Sequence, residues 1–336
     1  MEIRRVQMTG GASYIITLPK DWIKSANIKK NDPLGFHIRS DGTLLISPSL
    51  TGERTQRAKK FDASNKTDQA YLFRRLIGAY ISGYNSIEIK TSKSMPSPVR
   101  ATIRKFAQTT IGQEIVEETD TSITLKDLIN PAEMPFDRTI KRMHIIVKGM
   151  HEDAMQALER RNITLAKELI LRDNDVDRLH WLVARQHNSI LQNVNLAEKM
   201  NATIGMSSTY FLISRIIERI GDHVVKMTQN ILDLIDDKID QKIIDHIHHA
   251  SDLSLDVFNK SIGALFRKDI KSSNENIESV ERLGKLCKEI NTLALNQKSD
   301  IAISIGYIVE SIRRIGEYAE DISETTINHL IDIEEA

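Results

Sequence analysis

The sequence predicts a mainly α-helical protein with a small β-rich segment at its N-terminus and a short mixed α/β segment behind it. Strand-like alternation and turn residues occur in the first 50 or so residues and again between residues 66 and 129. After Pro135 the chain has no further proline and few glycines. In that part apolar residues recur at steps of three and four, which is typical of helices that bury one face in a bundle.

The N-terminal segment predicts four short strands and one short helix. Pro19 is well placed just before the helix, and Thr9-Gly10-Gly11 and Ser40-Asp41-Gly42 predict turns. A piece of this size is too small to bury a core alone, so pairing with a second copy is expected. The predicted strands are Ile3–Gln7, Ser13–Leu18, Leu34–Ile38 and Leu44–Ile46, and the helix is Lys20–Ala26.

The middle segment predicts the order α-β-α-β-β, which suits a small mixed domain or a spacer packed on its neighbours. No chemistry-bearing motif stands out in it. We expect this domain to span residues 60–130, behind an N-terminal domain of residues 1–52. Its predicted elements are Asp68–Tyr84, Ser86–Lys90, Pro98–Gln108, Glu114–Glu118 and Ser122–Leu125.

The remainder, residues 136–332, predicts six helices in two similar halves. Arg219-Ile220-Gly221-Asp222 recurs as Arg314-Ile315-Gly316-Glu317, and Asp177-Arg178-Leu179 recurs as Glu281-Arg282-Leu283. Because the matches keep their order, we expect two tandem three-helix bundles, at about 136–237 and 240–332. The predicted helices are 137–161, 164–200, 205–236, 240–267, 271–293 and 299–331.

Composition limits the classes of function. Cys287 is the only cysteine, which excludes an intramolecular disulfide and a zinc ribbon. No run of about 18 apolar residues predicts a membrane span, and no apolar targeting segment follows the charged N-terminus, so a cytoplasmic protein without membrane insertion is expected. The glycine-rich phosphate loop and the common hydrolase motifs are absent, so no enzyme is predicted.

Charge is balanced overall, with 46 basic and 46 acidic residues, but the first 60 residues hold eleven Lys and Arg against five Asp and Glu. A basic N-terminal segment on a more acidic remainder suits contact with DNA, although charge scatter or a solubilising role would look the same. The candidate DNA-binding cations are Arg4, Arg5, Lys20, Lys24, Lys29 and Lys30.

Carboxylates at helical spacing form the second candidate site. Glu218 and Asp222 lie four residues apart and project from one helix face, beside Gly221, whose lack of a side chain suggests close approach of another helix or a ligand. Asp173 and Asp177 on the preceding helix are an opposing pair, and Glu317 and Asp321 are the second copy. Such oxygen clusters suit Mg, Mn or Fe. The alternative is a solvated face of i,i+4 ion pairs, which Arg215 and Lys226 would complete.

The N-terminal motifs closely resemble the SpoVT/AbrB swapped-hairpin family. The resemblance covers about 48 residues and departs mildly where Asn31-Asp32 replaces the usual Gly-Asp. It implies that two chains interlace their hairpins into one barrel that binds DNA or, in antitoxins, a toxin, with Arg4, Arg5 and Lys24 at DNA-contacting positions. The matching residues are Ile3-Arg4-Arg5-Val6-Gln7, Gly10-Gly11, Tyr14–Lys20, Trp22 and Ile28–Asp32.

The helical part resembles the PhoU family. Asp173–Leu179 is similar to that family's acidic motif, and Glu218–His223 is close to its most distinctive signature. The resemblance implies two three-helix bundles, multinuclear iron or zinc at E/D-x-x-x-D motifs, and repression of phosphate uptake through a transporter and its sensor kinase. In the second copy Arg313 replaces the signature glutamate, while Glu317 and Asp321 remain.

Together the two resemblances imply a homodimeric, archaeal-type transcriptional regulator of phosphate uptake. Its N-terminal domain would bind DNA, and its helical domain would respond to metal (Fe, Zn, Mn or Mg), phosphate or a protein. Two alternatives stay open. The helical domain could act directly on a phosphate transporter or sensor kinase, with the N-terminal domain only dimerising, or the N-terminal domain could neutralise a toxin.

Overall fold

The computed structural model describes residues 2–38, 42–48, 57–64, 68–130 and 133–334. The chain divides into two compact units, Met1–Thr55 and Gln56–Ala336. The predicted boundary at residue 52 lies outside the described residues. The predicted segments 60–130 and 136–332 both fall within the second unit.

The N-terminal unit consists of two hairpins and a short helix. Strands β1 (Gln7–Thr9) and β2 (Ser13–Ile15) pair antiparallel around Gly10 and Gly11, whose positive φ angles of 62° and 77° favour glycine. Helix α1 follows at Lys20–Ser25. Strands β3 (Gly35–Ile38) and β4 (Leu44–Ser47) form the second hairpin. Two residues of the predicted turn between them, Ser40 and Asp41, lie outside the described residues.

The first predicted strand, Ile3–Gln7, is wrong in its position, because β1 begins only at Gln7. Within the described part of the single chain, residues 3–6 have no strand beside them, and a strand needs a partner for its backbone hydrogen bonds. No described residue of the N-terminal unit is buried. Large apolar side chains are left exposed, including those of Ile3, Val6, Met8, Tyr14, Phe36 and Ile38.

The second unit begins with a four-stranded sheet of order β5-β6-β8-β7, in which β5 and β6 are parallel and the other pairs are antiparallel. Strand β5 was not predicted, because four of its five residues are exposed and only Phe61 is buried, as in a charged edge strand. The elements are β5 (Ala58–Asp62), α2 (Gln69–Ile81), β6 (Ser86–Lys90), α3 (Ser97–Thr109), β7 (Gln113–Glu118) and β8 (Ser122–Asp127).

The mainly helical prediction is confirmed. Helices α4, α5 and α7 pack as one bundle and α8, α9 and α10 as a second, and one hydrophobic core runs through both. The helices are α4 (Phe136–Arg160), α5 (Ile163–Gln192), α6 (Val194–Lys199), α7 (Ile204–Asp233), α8 (Gln241–Arg267), α9 (Ile270–Ala294) and α10 (Ser299–Glu334). No helix in the described ranges is long and apolar enough to cross a membrane.

The single helix predicted at 164–200 is wrong, because the structure divides it into α5 and α6 at Asn193. This residue has extended backbone angles, φ −145° and ψ 100°, and its side chain accepts a hydrogen bond from the backbone N–H of Asn195. An asparagine side chain that bonds the backbone in this way competes with helix continuation and starts a new helix.

The two bundles share a local signature at their first connection. The residue that caps the C-terminus of α4, Arg161, and the one that caps α8, Lys268, are both in the left-handed conformation. Each is followed by a residue whose side chain caps the next helix, Asn162 for α5 and Asp269 for α9. This repetition agrees with the internal duplication that the sequence predicts.

Candidate functional site

The four carboxylates predicted in the first bundle lie on two helices that pack together. Asp173 and Asp177 are on α5, and Glu218 and Asp222 are on α7. Gly221 brings the helices close here, because a Cβ atom on this residue would lie 3.1 Å from Asp173 Oδ1. The predicted reason for a glycine within α7, close approach of another helix, is therefore observed.

Two of these carboxylates each have one buried oxygen without a hydrogen-bond partner. Asp173 Oδ1 and Glu218 Oε2 are inaccessible to solvent and have no hydrogen-bond partner within the described ranges. The other oxygen of Glu218, Oε1, accepts a hydrogen bond from Arg215 Nη1 at 2.6 Å. Buried carboxylate oxygens without donors are costly, so the pair is suited to a bound cation or another donor.

The same environment makes these groups harder to ionise. Burial raises the pKa of Asp173 to about 7, with further contributions from Asp177, Asp222 and Glu218. Burial also raises the pKa of Glu218 to about 7, against the opposing effect of Arg215. For Asp177, burial and then the charge of Asp222 raise the pKa to about 6. Full ionisation of the cluster is therefore unfavourable, and a bound cation would favour the ionised forms.

The carboxylates are chemically suited to a metal ion, but they do not form a preformed cage around one. Within the described part of the chain, no three His, Cys, Asp or Glu side chains converge closely enough to hold a metal ion. The carboxylates are near enough to raise one another's pKa, but their like charges favour separation without a counter-ion. An all-oxygen donor set suits hard cations such as Mg, Mn or Fe better than it suits cations that prefer thiolate ligands.

The second copy is organised differently. Both oxygens of Glu317 on α10 accept hydrogen bonds from arginines, Oε1 from Arg313 and Oε2 from Arg314 at 3.0 Å. Burial, with the charges of Glu324 and Glu317, raises the pKa of Asp321. The arginine that replaces the signature glutamate thus neutralises Glu317, whereas no described cation contacts Asp173 in the first bundle.

The predicted DNA-binding cations all have exposed side chains in the N-terminal unit. Arg4 hydrogen-bonds to Glu2 and lies 3.5 Å from Thr17 Oγ1. Lys20 and Lys24 lie in the first and last turns of α1. The remaining three are Arg5, Lys29 and Lys30.

Sequence reasoning missed one buried ion pair that joins the first bundle to the sheet. Arg185 on α5 donates through Nη2 to Asp127 Oδ2 at 2.7 Å. Through Nη1 it donates to the backbone oxygens of Tyr80 at 2.5 Å and Tyr84 at 2.9 Å. The available signal was that Arg185 directly follows the apolar run Leu182–Ala184, since arginine is rarely fully buried without a partner.

Models of known protein families match both units of the chain. The model of the PhoU domain matches residues 140–231 and 247–326, one segment in each bundle. The chain belongs to the PhoU family. The model "Antidote-toxin recognition MazE, bacterial antitoxin" matches residues 7–53, which confirms an N-terminal domain of the swapped-hairpin type on a PhoU-family protein.

Solved structures agree on the fold of the PhoU domain. PhoU from Streptococcus pneumoniae, titled a phosphate transport system regulatory protein, has a TM-score of 0.50 and 14% sequence identity, and the match covers 58% of this chain and 92% of that one. PhoU from Pseudomonas aeruginosa has a TM-score of 0.50 and 15% identity, covering 59% and 96%. No curated protein matches this PhoU-family chain significantly.

Proposed function

We propose that this PhoU-family protein is a non-enzymatic, dimeric, DNA-binding regulator of phosphate uptake. Its N-terminal unit would dimerise and bind DNA, and its PhoU domain would bind a cation and sense phosphate status. The observation that carries the proposal is the combination, in one chain, of a swapped-hairpin domain with exposed cations and a PhoU domain.

Dimerisation is supported by the surface of the N-terminal unit. Its strands β1 and β2 are exposed at every residue. Tyr14 is 76% exposed and Ile38 is 85% exposed, which is unfavourable for such large apolar side chains in water. A second copy of the same hairpins would cover them and pair the residues before β1.

DNA binding is supported by the cations on this unit. Arg5, Lys20, Lys24, Lys29 and Lys30 are exposed, and none forms an ion pair within the described ranges. Dimerisation would double the set and place two copies related by symmetry, as suits a palindromic operator. Phosphate contacts of this kind release counter-ions, so binding would weaken steeply with salt.

Cation binding in the PhoU domain is supported by the unsatisfied oxygens of Asp173 and Glu218, with Asp177 and Asp222 beside them. A bound Fe, Mn, Mg or Zn ion would supply positive charge that links α5 to α7. The cation would be bound in part by α5, and the C-terminal half of that helix is joined to the α/β segment by Arg185 and Asp127. Glu317 and Asp321 would form a weaker second site, because Arg313 already neutralises Glu317.

The deciding experiment measures binding to genomic DNA fragments at two salt concentrations. The experiment compares full-length protein, protein lacking residues 1–52, and a full-length Lys20→Gln/Lys24→Gln variant. The control is Lys285→Gln, which changes an exposed lysine on α9 of the PhoU domain. We expect the full-length protein to bind a few fragments tightly and in a salt-dependent way. Binding should be lost on truncation, reduced in the Lys20→Gln/Lys24→Gln variant and unchanged in Lys285→Gln. Weak binding that ignores sequence, or binding that survives truncation, would refute the proposal.

The main alternative is direct regulation of a phosphate transporter or sensor kinase, with the N-terminal unit only dimerising. It is favoured by the likeness to the S. pneumoniae protein titled a phosphate transport system regulatory protein. Co-purification of a transporter or kinase subunit, together with negligible DNA binding, would support this alternative. The match to an antitoxin model adds a third outcome, capture of a toxin that requires residues 1–52.

A further inference from the structure

The α/β segment carries a group of cations along its edge strand β5 and the neighbouring helix α2. None of them forms an ion pair with another residue in the part of the chain that the structure describes. This group, the β5–α2 edge, consists of Arg57, Lys59, Arg74 and Arg75. Lys59 and Arg74 are exposed, and the other two are half-buried.

Aromatic rings hold three of these cations in place without neutralising them. The guanidinium carbon of Arg75 lies 4.5 Å from the centre of the Phe61 ring on β5. At the start of β5, the guanidinium carbon of Arg57 lies 4.5 Å and Lys59 Nζ 5.7 Å from the ring centre of Tyr84. A ring attracts a cation but carries no net charge, so the positive charge of the edge remains available to an anion.

Carboxylates of the same segment are engaged elsewhere. Two of them each pair with two other cations: Glu88 with Lys60 and Lys90, and Glu118 with Arg100 and Arg104. The acidic residues next to the edge in sequence, Asp62 and Asp68, accept hydrogen bonds from the backbone N–H groups of Ser64 and Tyr71. The positive charge of the β5–α2 edge is therefore not compensated by an ion pair within the described residues.

A glycine with open space beside it lies among these cations on α2. Gly78 follows Arg74 by four residues and Arg75 by three, so the three share one side of the helix. A Cβ on Gly78 would meet no atom within 4 Å. No described neighbour therefore explains a residue that costs a helix about 1 kcal/mol relative to alanine. Its missing side chain lets a bulky partner approach the helix between the two arginines.

We propose that the β5–α2 edge contacts the phosphate backbone of the DNA that the N-terminal unit binds. The inference rests on the proposed function and deepens it, because it gives the α/β segment a part in DNA binding. Unpaired arginine and lysine side chains are the groups that neutralise DNA phosphates, and such contacts position a protein without reading sequence.

The length of the connecting chain favours DNA as the partner. Nine residues, 48–56, separate the end of β4 at Ser47 from Arg57. A fully extended chain of this length spans at most about 35 Å, which is roughly one turn of B-DNA. A duplex bound by the N-terminal unit is therefore within reach of the edge. A few phosphate contacts strengthen binding without holding DNA by themselves, which agrees with the loss of binding expected when residues 1–52 are removed.

The first test measures the affinity of the full-length protein for one bound fragment at several salt concentrations. Lys59→Gln/Arg74→Gln removes two exposed cations from each chain, and so up to four phosphate contacts from a dimer. Each contact contributes about 0.9 to the slope of log affinity against log salt, so the slope should become shallower by about 2 to 4. Arg57 and Arg75 stay unchanged, because both pack on rings and their removal would disturb the fold.

The matched control removes the same charge from other surfaces of the segment. Lys105→Gln/Lys126→Gln changes exposed lysines on α3 and β8. Because these lysines lie outside the β5–α2 edge, the control should change the slope by less than about 1. An equal slope in the wild type and in both double variants overturns the inference.

A second test locates the edge on the DNA. An iron chelate attached to full-length Gly78→Cys should cut the DNA that flanks the bound site, whereas the same chelate on Lys105→Cys should not. Cys287 is only 2% exposed, so labelling is confined to the introduced thiol. Equal cleavage from positions 78 and 105 overturns this inference alone. Failure of the wild-type protein to bind any duplex overturns both this inference and the proposed function.

Discussion

Asp173 on α5 occupies the space that a side chain on residue 221 of α7 would need. A Cβ on Gly221 would lie 3.1 Å from Asp173 Oδ1, 3.6 Å from Val147 and 3.7 Å from Val176. Glycine within a helix costs about 1 kcal/mol relative to alanine. At this position the missing side chain lets the carboxylates of the two helices approach each other, which a larger residue would prevent.

Gly221→Ala should therefore separate helix stability from cation binding. We expect the new methyl group to push Asp173 aside and lower cation affinity, while the gain in helix propensity is largely cancelled by crowding. Gly149→Ala on α4, where a Cβ would meet no atom within 4 Å, is the control and should raise stability by up to about 1 kcal/mol. Urea unfolding and metal content after dialysis measure the two effects. Undiminished metal content in Gly221→Ala would contradict the proposed site.

Asp173→Asn should stabilise the metal-free protein at neutral pH. The pKa of Asp173 is raised from its ordinary value to about 7 in the folded state. The folded state therefore binds more protons than the unfolded one between about pH 4 and 7, and stability falls as pH rises through that range. Removing the carboxylate removes this loss, so the variant should gain stability above pH 7 and little near pH 4.

Chelator-treated protein, unfolded in urea at several pH values, provides the measurement. Asp175→Asn changes an exposed carboxylate two residues away on the same helix, which lies 3.7 Å from Arg178. This control should show no gain that grows with pH. With metal present, Asp173→Asn should instead lose bound cation, and a pH-independent effect would argue against a charged, buried Asp173.

Arg185→Met should destabilise the join between α5 and the sheet by about 3–5 kcal/mol, because it leaves Asp127 buried without its cation. The side chains of Arg185 and Asp127 are only 5% and 4% exposed. Hydrogen exchange should show the α/β segment opening more easily than the bundles. A double variant that also carries Asp127→Asn should recover part of the loss. Equal losses in the single and double variants would show that the ion pair is not the cause.

His151 should make the protein sensitive to acid. It is buried on α4, and its Nε2 lies 2.6 Å from Ser251 Oγ on α8. Burial lowers its pKa from 6.5 to about 4. The unfolded state therefore binds a proton that the folded state resists, and stability is lost as pH falls from about 6.5 towards 4, by on the order of 3 kcal/mol.

His151→Gln should reduce this dependence in thermal unfolding between pH 4 and 7, and the part that remains is expected from His180 and His223, whose pKa values burial also lowers to about 4. His249→Gln, which removes an exposed histidine from α8, is the control for loss of an imidazole. Because His151 joins the first bundle to the second, wild-type protein should lose protection first at the contact between α4 and α8. An unchanged slope in His151→Gln would place the acid-sensitive group elsewhere.

The sequence by itself determined the helical class, the duplication and the spacing of the carboxylates. Apolar steps of three and four and the absence of proline after Pro135 are local properties that any helix must satisfy. Glu218 and Asp222 share a face because of helical spacing alone. The burial of Glu218 was not predictable, because its spacing with Arg215, Asp222 and Lys226 also fits a solvated stripe of ion pairs.

Only the tertiary structure decided which groups meet across the fold. Asp173 against Gly221, Arg185 against Asp127, and Asn276 against Ser323 all join elements distant in sequence. The helix break at Asn193 depends on a local hydrogen bond of its side chain, and strand β5 depends on pairing with β6. Neither can be read from the amino-acid composition. Periodicity shows which face of a helix is buried, but the neighbour on that face is set by packing.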